Sequence, residues 1–342
     1  MAYIHCRCLL LILVMKIEPK RLSYKHKNSK ILYYAQNYFR QIIPAGYYQP
    51  KLKAILDSFN LLDDDNKKKI LARVNYYNKL EKTTNLSAAQ KLSDLSLKAF
   101  TKDGHRSYYF DFYEYGRYFN QDLKGHFLFG DITKIPDEPA IVKSRPVAGF
   151  NENSILFKLN KMRHFMFVKN DKKQFAEKKS LLVWRGNVNL KQPHRIRFME
   201  RYFGHPMCNI GKVNDNQLNA EWKVGRMTID EQLEYKFILS LEGNDVATNL
   251  KWIMSSNSLA VMPKPKFETW FMEGMLVPDK HYVLINDDFS DLEEKLNYYI
   301  NHPIDAEEII KNANNFIAQF KNKRMENLIS LMVLDKYFSI TN

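Results

Sequence analysis

Beyond Trp184 the chain alternates between short apolar runs and stretches of helical periodicity, and this alternation restricts the fold more than any other feature. SLLVWRGN reads as a strand, QPHRIRFMERYF as a helix, EYKFILSLEG as a strand, VATNLKWIMSSN as a helix and LAVMPK as a strand. HYVLIND is another strand and FSDLEEKLNYYINHP a helix opened by a Ser290 cap; a helix over Ala306 to Phe320 and a helical tail follow. Strands separated by helices pair in parallel, because the crossover helix returns the chain to the end of the sheet it started from. The expected class is α/β with a doubly wound parallel sheet.

The first hundred residues read mainly helical. SKILYYAQNYFRQII and NKKKILARVNYYNKL each place apolar and aromatic side chains on one face. SYYFDFYEYGRYF alternates as a strand followed by a turn. GHFLFGDITKIP supplies a strand, His126 to Phe129, that ends at Gly130 and Asp131, and HFMFVKND repeats that design. A chain of 342 residues exceeds one ordinary core, so length alone implies about two domains. The boundary is expected near Lys178 to Trp184, giving units 1–180 and 181–342 with the last helix packing back on the first.

Basic residues exceed acidic ones, giving a formal net charge of +14. They are dispersed, with short clusters at Lys16 to Lys30, Lys67 to Lys69 and Lys169 to Lys179, and no nucleic-acid motif accompanies them. An anionic membrane surface is the better match, and no nucleic acid is expected as a partner. Cys6, Cys8 and Cys208 cannot form a disulfide framework, which points to a reducing compartment. The apolar run Leu9 to Met15 falls well short of the roughly 20 residues that span a bilayer, so it is expected to be a first strand or a weak surface anchor.

Candidate chemistry gathers where strands end. Asp131 follows an apolar strand directly, where a carboxylate projects into the crevice above a sheet and can take a proton from an acceptor hydroxyl. Asp137 and Glu138, in a proline-rich turn, are weaker candidates. Arg185 and Gly186 close the strand in VWRGN, while Arg195 and Arg197 lie near a helix start; arginine offers paired donors that match a phosphate. The apolar run Phe237 to Leu241 leads into Glu242, Gly243, Asn244 and Asp245. Gly243 permits close backbone approach, and Asn244, Asp245 and Thr248 can cap a helix whose free N–H groups point at a phosphate, with Lys251 on the same face. An ordinary capped helix is the plainer reading of that turn. Glu242, together with Glu268 and Glu273 in KFETWFMEG, is a candidate for a ribose or sugar hydroxyl. Gly-x-Gly-x-x-Gly, P-loop, GxSxG and zinc-helix signatures are absent, and the nine His residues form no ligand-spaced cluster, so no metal is expected.

The order GDITKIP, VWRGN…PHRIR, YKFILSLEGNDVATNLKW and SLAVMPKPKFETWFMEGMLVPDKHYVLINDD resembles glycosyltransferase family 90, over roughly Phe127 to Phe320 and closest to its bacterial lipopolysaccharide branch. The resemblance implies a GT-B architecture, two Rossmann-like domains facing a central cleft, with the acceptor side and the base in residues 1–180 and the nucleotide-sugar in residues 181–342. It implies a UDP-sugar donor, inversion, no cofactor and no catalytic metal, with a lipopolysaccharide core or similar glycan as acceptor. Asp131 matches the family's general base, Arg185 and Arg195 its Arg-Gly…Arg element near the donor diphosphate, and Gly243 to Lys251 its glycine turn. Where the eukaryotic branch has an arginine reaching the diphosphate this chain has Asn249, which leaves Lys251 or backbone N–H groups for that role. The implied location is cytoplasmic, peripheral on the inner face of the bacterial inner membrane. A protein O-glycosyltransferase of the same family and a non-catalytic basic glycan-binding protein are the alternatives.

Overall fold

The structure, a computed structural model, describes residues 25–342. The run Leu9 to Met15 lies outside the described residues. Numbered in chain order, the strands are β1 (Gln90–Lys91), β2 (Lys124–Leu128), β3 (Ala140–Val142), β4 (Ser144–Pro146), β5 (Ser154–Leu156), β6 (Lys179–Gly186), β7 (Cys208–Lys212), β8 (Tyr235–Leu239), β9 (Leu259–Met262), β10 (Phe267–Thr269) and β11 (Val283–Leu284). The larger sheet has the order β11-β9-β8-β6-β7 and every pairing in it is parallel. A smaller sheet has the order β1-β2-β3-β5, parallel except where β1 meets β2. The molecule is thus mixed α/β with parallel sheets, as the alternation predicts.

Period-two alternation splits the larger sheet between two cores. Leu182, Trp184, Phe237, Leu239, Leu259 and Val261 point to one side, with the helices Pro193–Tyr202 and Leu292–Asn301. Val183, Ile238, Ala260 and Met262 point to the other and join a core that also holds the aromatic residues of the first half. The antiparallel pair β4–β10, with Glu268 opposite Arg145, stitches the two halves together. The final helix, Lys323–Thr341, lies against first-half elements: Tyr337 Oη donates to Pro139 O at 3.0 Å and accepts from His126 N at 2.9 Å. Among the described residues no helix is long and apolar enough to cross a membrane.

Four local expectations are corrected. Arg106–Gly116 is a helix, and its buried Tyr108, Phe112 and Tyr115 follow helical spacing. Phe165 to Val168 form no strand: Phe165 N closes a turn on Lys161 O at 2.9 Å, Val168 N donates to Ser255 Oγ at 2.8 Å and, just beyond, Lys169 N donates to His26 Nδ1 at 3.0 Å. The helix after β8 begins only at Leu250 and runs to Met254, and Asn244, Asp245 and Thr248 do not cap it. Ser290 does not cap Leu292–Asn301; its hydroxyl donates to Asp288 Oδ1 at 2.7 Å.

Candidate active site

In the larger sheet the chain runs from β6 to β7 on one side and then returns to lay β8 on the other side of β6. Strand order therefore reverses between β6 and β8, and a crevice opens beyond their carboxyl ends. A cavity of ≈ 490 Å³ lies there, lined by Trp184, Arg185, Gly186 and Asn187 from the end of β6 and by Leu241, Gly243, Asn244 and Asp245 from the end of β8. Asp131 lines the same cavity from the opposite wall, just past the carboxyl end of β2. Both sheets thus aim their carboxyl ends at one space.

Asp131 is held by groups from both halves. Asn244 Nδ2 donates to its Oδ2 at 3.1 Å, and Lys143, which follows β3, forms an ion pair with Oδ1. Lys143 is itself almost wholly buried and also contacts Asp245 Oδ2 at 2.6 Å, so one ammonium bridges two carboxylates from opposite walls. Burial pushes the Asp131 carboxyl up, but the charge and hydrogen bond of Lys143 and the amide of Asn244 outweigh it, leaving the group below the ordinary carboxylate range. Lys143 escaped the sequence reading, although AIVK repeats the pattern of an apolar strand ending in a charged residue that singled out Asp131.

Arg195 ties the two strand ends together. Its Nε donates to Glu242 O at 2.8 Å, Nη1 to Asn187 O at 2.7 Å and Nη2 to Leu241 O at 2.9 Å, so each Nη keeps one further N–H. Burial pushes its pKa down to about 10. Arg185 is more fully engaged, donating to Trp184 O, Asn209 O, Asn209 Oδ1 and Gly225 O. A Cβ at Gly186 would come within 2.3 Å of the Trp184 ring, whereas one at Gly243 would stand 3.6 Å from Arg195 Nη2, at the cavity wall. Thr248 and Asn249 also line the cavity, with Asn249 pinned by its amide to Leu239 O at 2.9 Å.

Three other candidates sit in buried ion pairs, and of these Glu273 also lines the second cavity described below. Lys251 is fully buried and paired with Glu273 at 2.6 Å, away from the cavity that Asp131 lines. Its pairing leaves no ammonium for a phosphate. Glu273 also accepts from Thr269 N at 2.6 Å. Glu268 is buried against Arg145 at 2.8 Å and accepts from Tyr76 Oη, where it lies between β10 and β4. The phosphate-matching groups the sequence reading missed are Arg163, Arg226 and Lys27, which line the cavity and whose side chains have no hydrogen bond or ion pair among the described residues. Gln192 Oε1 and His164 Nδ1 are buried at the same wall without a hydrogen-bond partner among the described residues.

A second cavity, of ≈ 330 Å³, shares Leu241, Gly243, Asn244 and Val246 with the first and continues past β9. Its lining includes the apolar Leu250, Met262, Pro263, Phe267 and Phe289, together with Glu242 and His194. Glu242 Oε1 accepts from Lys266 N at 2.9 Å and Phe267 N at 3.2 Å, yet burial outweighs these bonds and pushes its pKa up to about 7. Among the described residues no three His, Cys, Asp or Glu side chains gather where they could hold a metal ion.

Over 312 residues, 91% of this chain and 96% of the relative, the sequence is 41% identical to the O-glucosyltransferase LpsA of Dichelobacter nodosus. A shorter match, 30% identical over 129 residues, covers 35% of this chain and 11% of uncharacterized protein 179R of Invertebrate iridescent virus 6. The family model Glycosyl transferase family 90 matches residues 151–340, so the chain belongs to glycosyltransferase family 90.

Proposed function

We propose that the chain is an inverting, metal-independent GT-B enzyme that moves a hexose from a UDP-sugar to a lipopolysaccharide core or related glycan. The observation that carries this reading is the position of Asp131, on one cavity with the β6–β8 switch point and with three cations, Lys27, Arg163 and Arg226, whose side chains have no hydrogen bond or ion pair among the described residues. A base and a phosphate site facing each other over one space is what direct displacement requires. The acceptor hydroxyl oxygen bonds to the anomeric carbon as the bond from that carbon to the UDP oxygen breaks. The bonding pair leaves with the diphosphate, and the hydroxyl proton passes to Asp131.

Arg163, Arg226 and the two remaining N–H groups of Arg195 are assigned to the diphosphate, in place of the helix N-terminus and Lys251 that the sequence suggested. The neighbouring cavity, lined by apolar and polar residues alike, is assigned to the nucleobase. Its backbone and side-chain polar groups suit a ring that is flat, apolar on its faces and polar at its edge. The net charge of +14 supports peripheral attachment to the anionic cytoplasmic face of the membrane, where a phosphorylated acceptor would be met.

The test is incubation of the full chain with a panel of UDP-sugars and a truncated lipopolysaccharide, with and without EDTA, followed by assignment of the anomeric configuration. UDP release with an inverted product, undiminished by EDTA, is expected. A retained configuration, or activity that requires added Mn²⁺ or Mg²⁺, would remove the corresponding part of the mechanism. No turnover with any donor, despite tight glycan binding, would replace the enzyme by a binder.

A further inference from the structure

The helix Lys30–Ile42 turns its aliphatic side chains and Phe39 away from the protein core. Its inward face sets the Tyr33 and Tyr34 rings edge-on to the buried Phe110 and adds a set of polar contacts. Tyr33 Oη donates to Asp111 Oδ1 at 2.8 Å, Arg40 pairs with Glu114 at 2.6 Å, Gln41 Oε1 accepts from Tyr109 Oη at 3.1 Å, and Asn37 is buried. The outward face is apolar: Ile31 is 82% exposed, Leu32 70%, Phe39 63% and Ile42 76%. Positions 31, 35, 38, 39 and 42 fall on one side of a helix, so Ile31, Ala35, Tyr38, Phe39 and Ile42 form a continuous stripe, and the exposed Tyr47 extends it past the helix end. Single exposed apolar residues are ordinary, whereas a continuous stripe marks a surface that is covered when the protein works.

Cations border the stripe. Lys51 Nζ sits 3.4 Å from the centre of the Tyr47 ring, and Arg106 Nη1 donates to Tyr38 Oη at 3.2 Å. Lys30 is exposed at the helix start. This rim decides between occupants. A second copy of a chain carrying +14 would bring like charge against like charge, while an anionic bilayer takes the stripe into its headgroup boundary and places its phosphates against the rim. We infer that the Ile31–Ile42 stripe is the surface by which the chain lies on an anionic lipid bilayer. The inference deepens the peripheral attachment proposed above by giving it a surface.

The experiment is co-sedimentation of the full chain with vesicles of phosphatidylcholine and phosphatidylglycerol, compared with phosphatidylcholine alone. Ile31→Gln and Phe39→Gln should each weaken partitioning by about ten-fold or more, since each removes a large apolar side chain from the lipid boundary. Melting temperature and transfer to a water-soluble acceptor should not change, because neither side chain touches the core or the cavity. Full partitioning of the double variant overturns the surface while leaving attachment intact. So does loss of binding in Leu11→Glu alone, which would move the anchor to the N-terminal run. If the variants instead turn a dimer into a monomer in sedimentation velocity, the stripe is a contact between copies. Absence of binding to any anionic vesicle overturns both the surface and the attachment itself.

Discussion

At Asp131 two requirements oppose each other: a base must be ionised at neutral pH, yet it must hold a proton long enough to be useful. Lys143 and Asn244 favour the first, keeping the carboxyl below its ordinary range against the pull of burial. Its folded pKa is depressed, so its contribution to stability is fully present at neutral pH and fades only as the solution turns strongly acidic. Asp131→Asn keeps the shape but cannot take the proton, and transfer should fall by roughly 10²–10⁴ while UDP affinity stays near wild type; the lost ion pair with Lys143 lowers the melting temperature modestly, so the rates are compared at a temperature where both proteins are folded. Near-normal turnover would move the base elsewhere. Glu242 presents the opposite case, with burial raising its pKa from 4.5 to about 7. A carboxylate raised in the fold contributes stability below its unfolded value and loses it as pH climbs to the folded one. Glu242→Gln can still accept from the N–H groups of Lys266 and Phe267, so its thermal stability relative to wild type should rise between pH 4.5 and about 7 and then level off. A difference that does not vary with pH would show that Glu242 titrates normally.

The turn between β8 and the helix Leu250–Met254 was legible as a site and illegible as a mechanism. β6, β8 and β9 are buried on both faces and so read as near-continuous apolar runs, which makes their carboxyl ends visible in the sequence. What the turn does depends on Lys143, Asp131 and Arg195, brought in from other elements, and no local pattern reports such pairings. The same limit explains Arg106–Gly116: its aromatic residues favour a strand in isolation, and packing of one helical face against the core overrides them. It also explains Phe165 to Val168, where Lys161 O and Ser255 Oγ take donors that a strand would need. Two arginines separate holding the turn from holding a ligand. Arg195→Ala leaves the carbonyls of Asn187 and Leu241 without their donor, Glu242 O keeping His194 Nε2 at 2.8 Å, and should cost on the order of 2–3 kcal/mol of stability as well as donor affinity. Arg163→Ala breaks no bond among the described residues, so the melting temperature should hold while UDP affinity drops by about 10–100-fold. Equal losses of stability in both variants, with UDP binding intact, would take Arg163 out of the donor site.

Across the whole molecule the site depends on two sheets keeping their carboxyl ends face to face, and buried ion pairs between distant segments fix that placement. Glu326, on the final helix, lies 2.6 Å from Arg73 Nη2, accepts from Lys158 Nζ at 2.7 Å and from Trp270 Nε1 at 2.9 Å, and so joins four separate parts of the chain. Burial alone would raise its pKa, but Lys158 and Arg73 outweigh it and hold the group below its ordinary value, so this contribution to stability persists at neutral pH and fades in acid. Glu326→Gln preserves size and can still accept from the Trp270 indole, yet it leaves two cations buried without an anion. Removing one partner of such a cluster is far more damaging than the net worth of the cluster, and a loss on the order of 3 kcal/mol is expected. Trp270 stacks on Tyr77 with ring centres 3.8 Å apart, so the emission of the four tryptophans includes a contribution from the same junction. Denaturant titration followed by both circular dichroism and tryptophan emission should show one transition at a lower midpoint, because the cluster belongs to the core shared by both halves. If the two probes separate, or if the midpoint does not move, the halves are held together by their apolar contacts and Glu326 is dispensable to the geometry that brings Asp131 to the switch point.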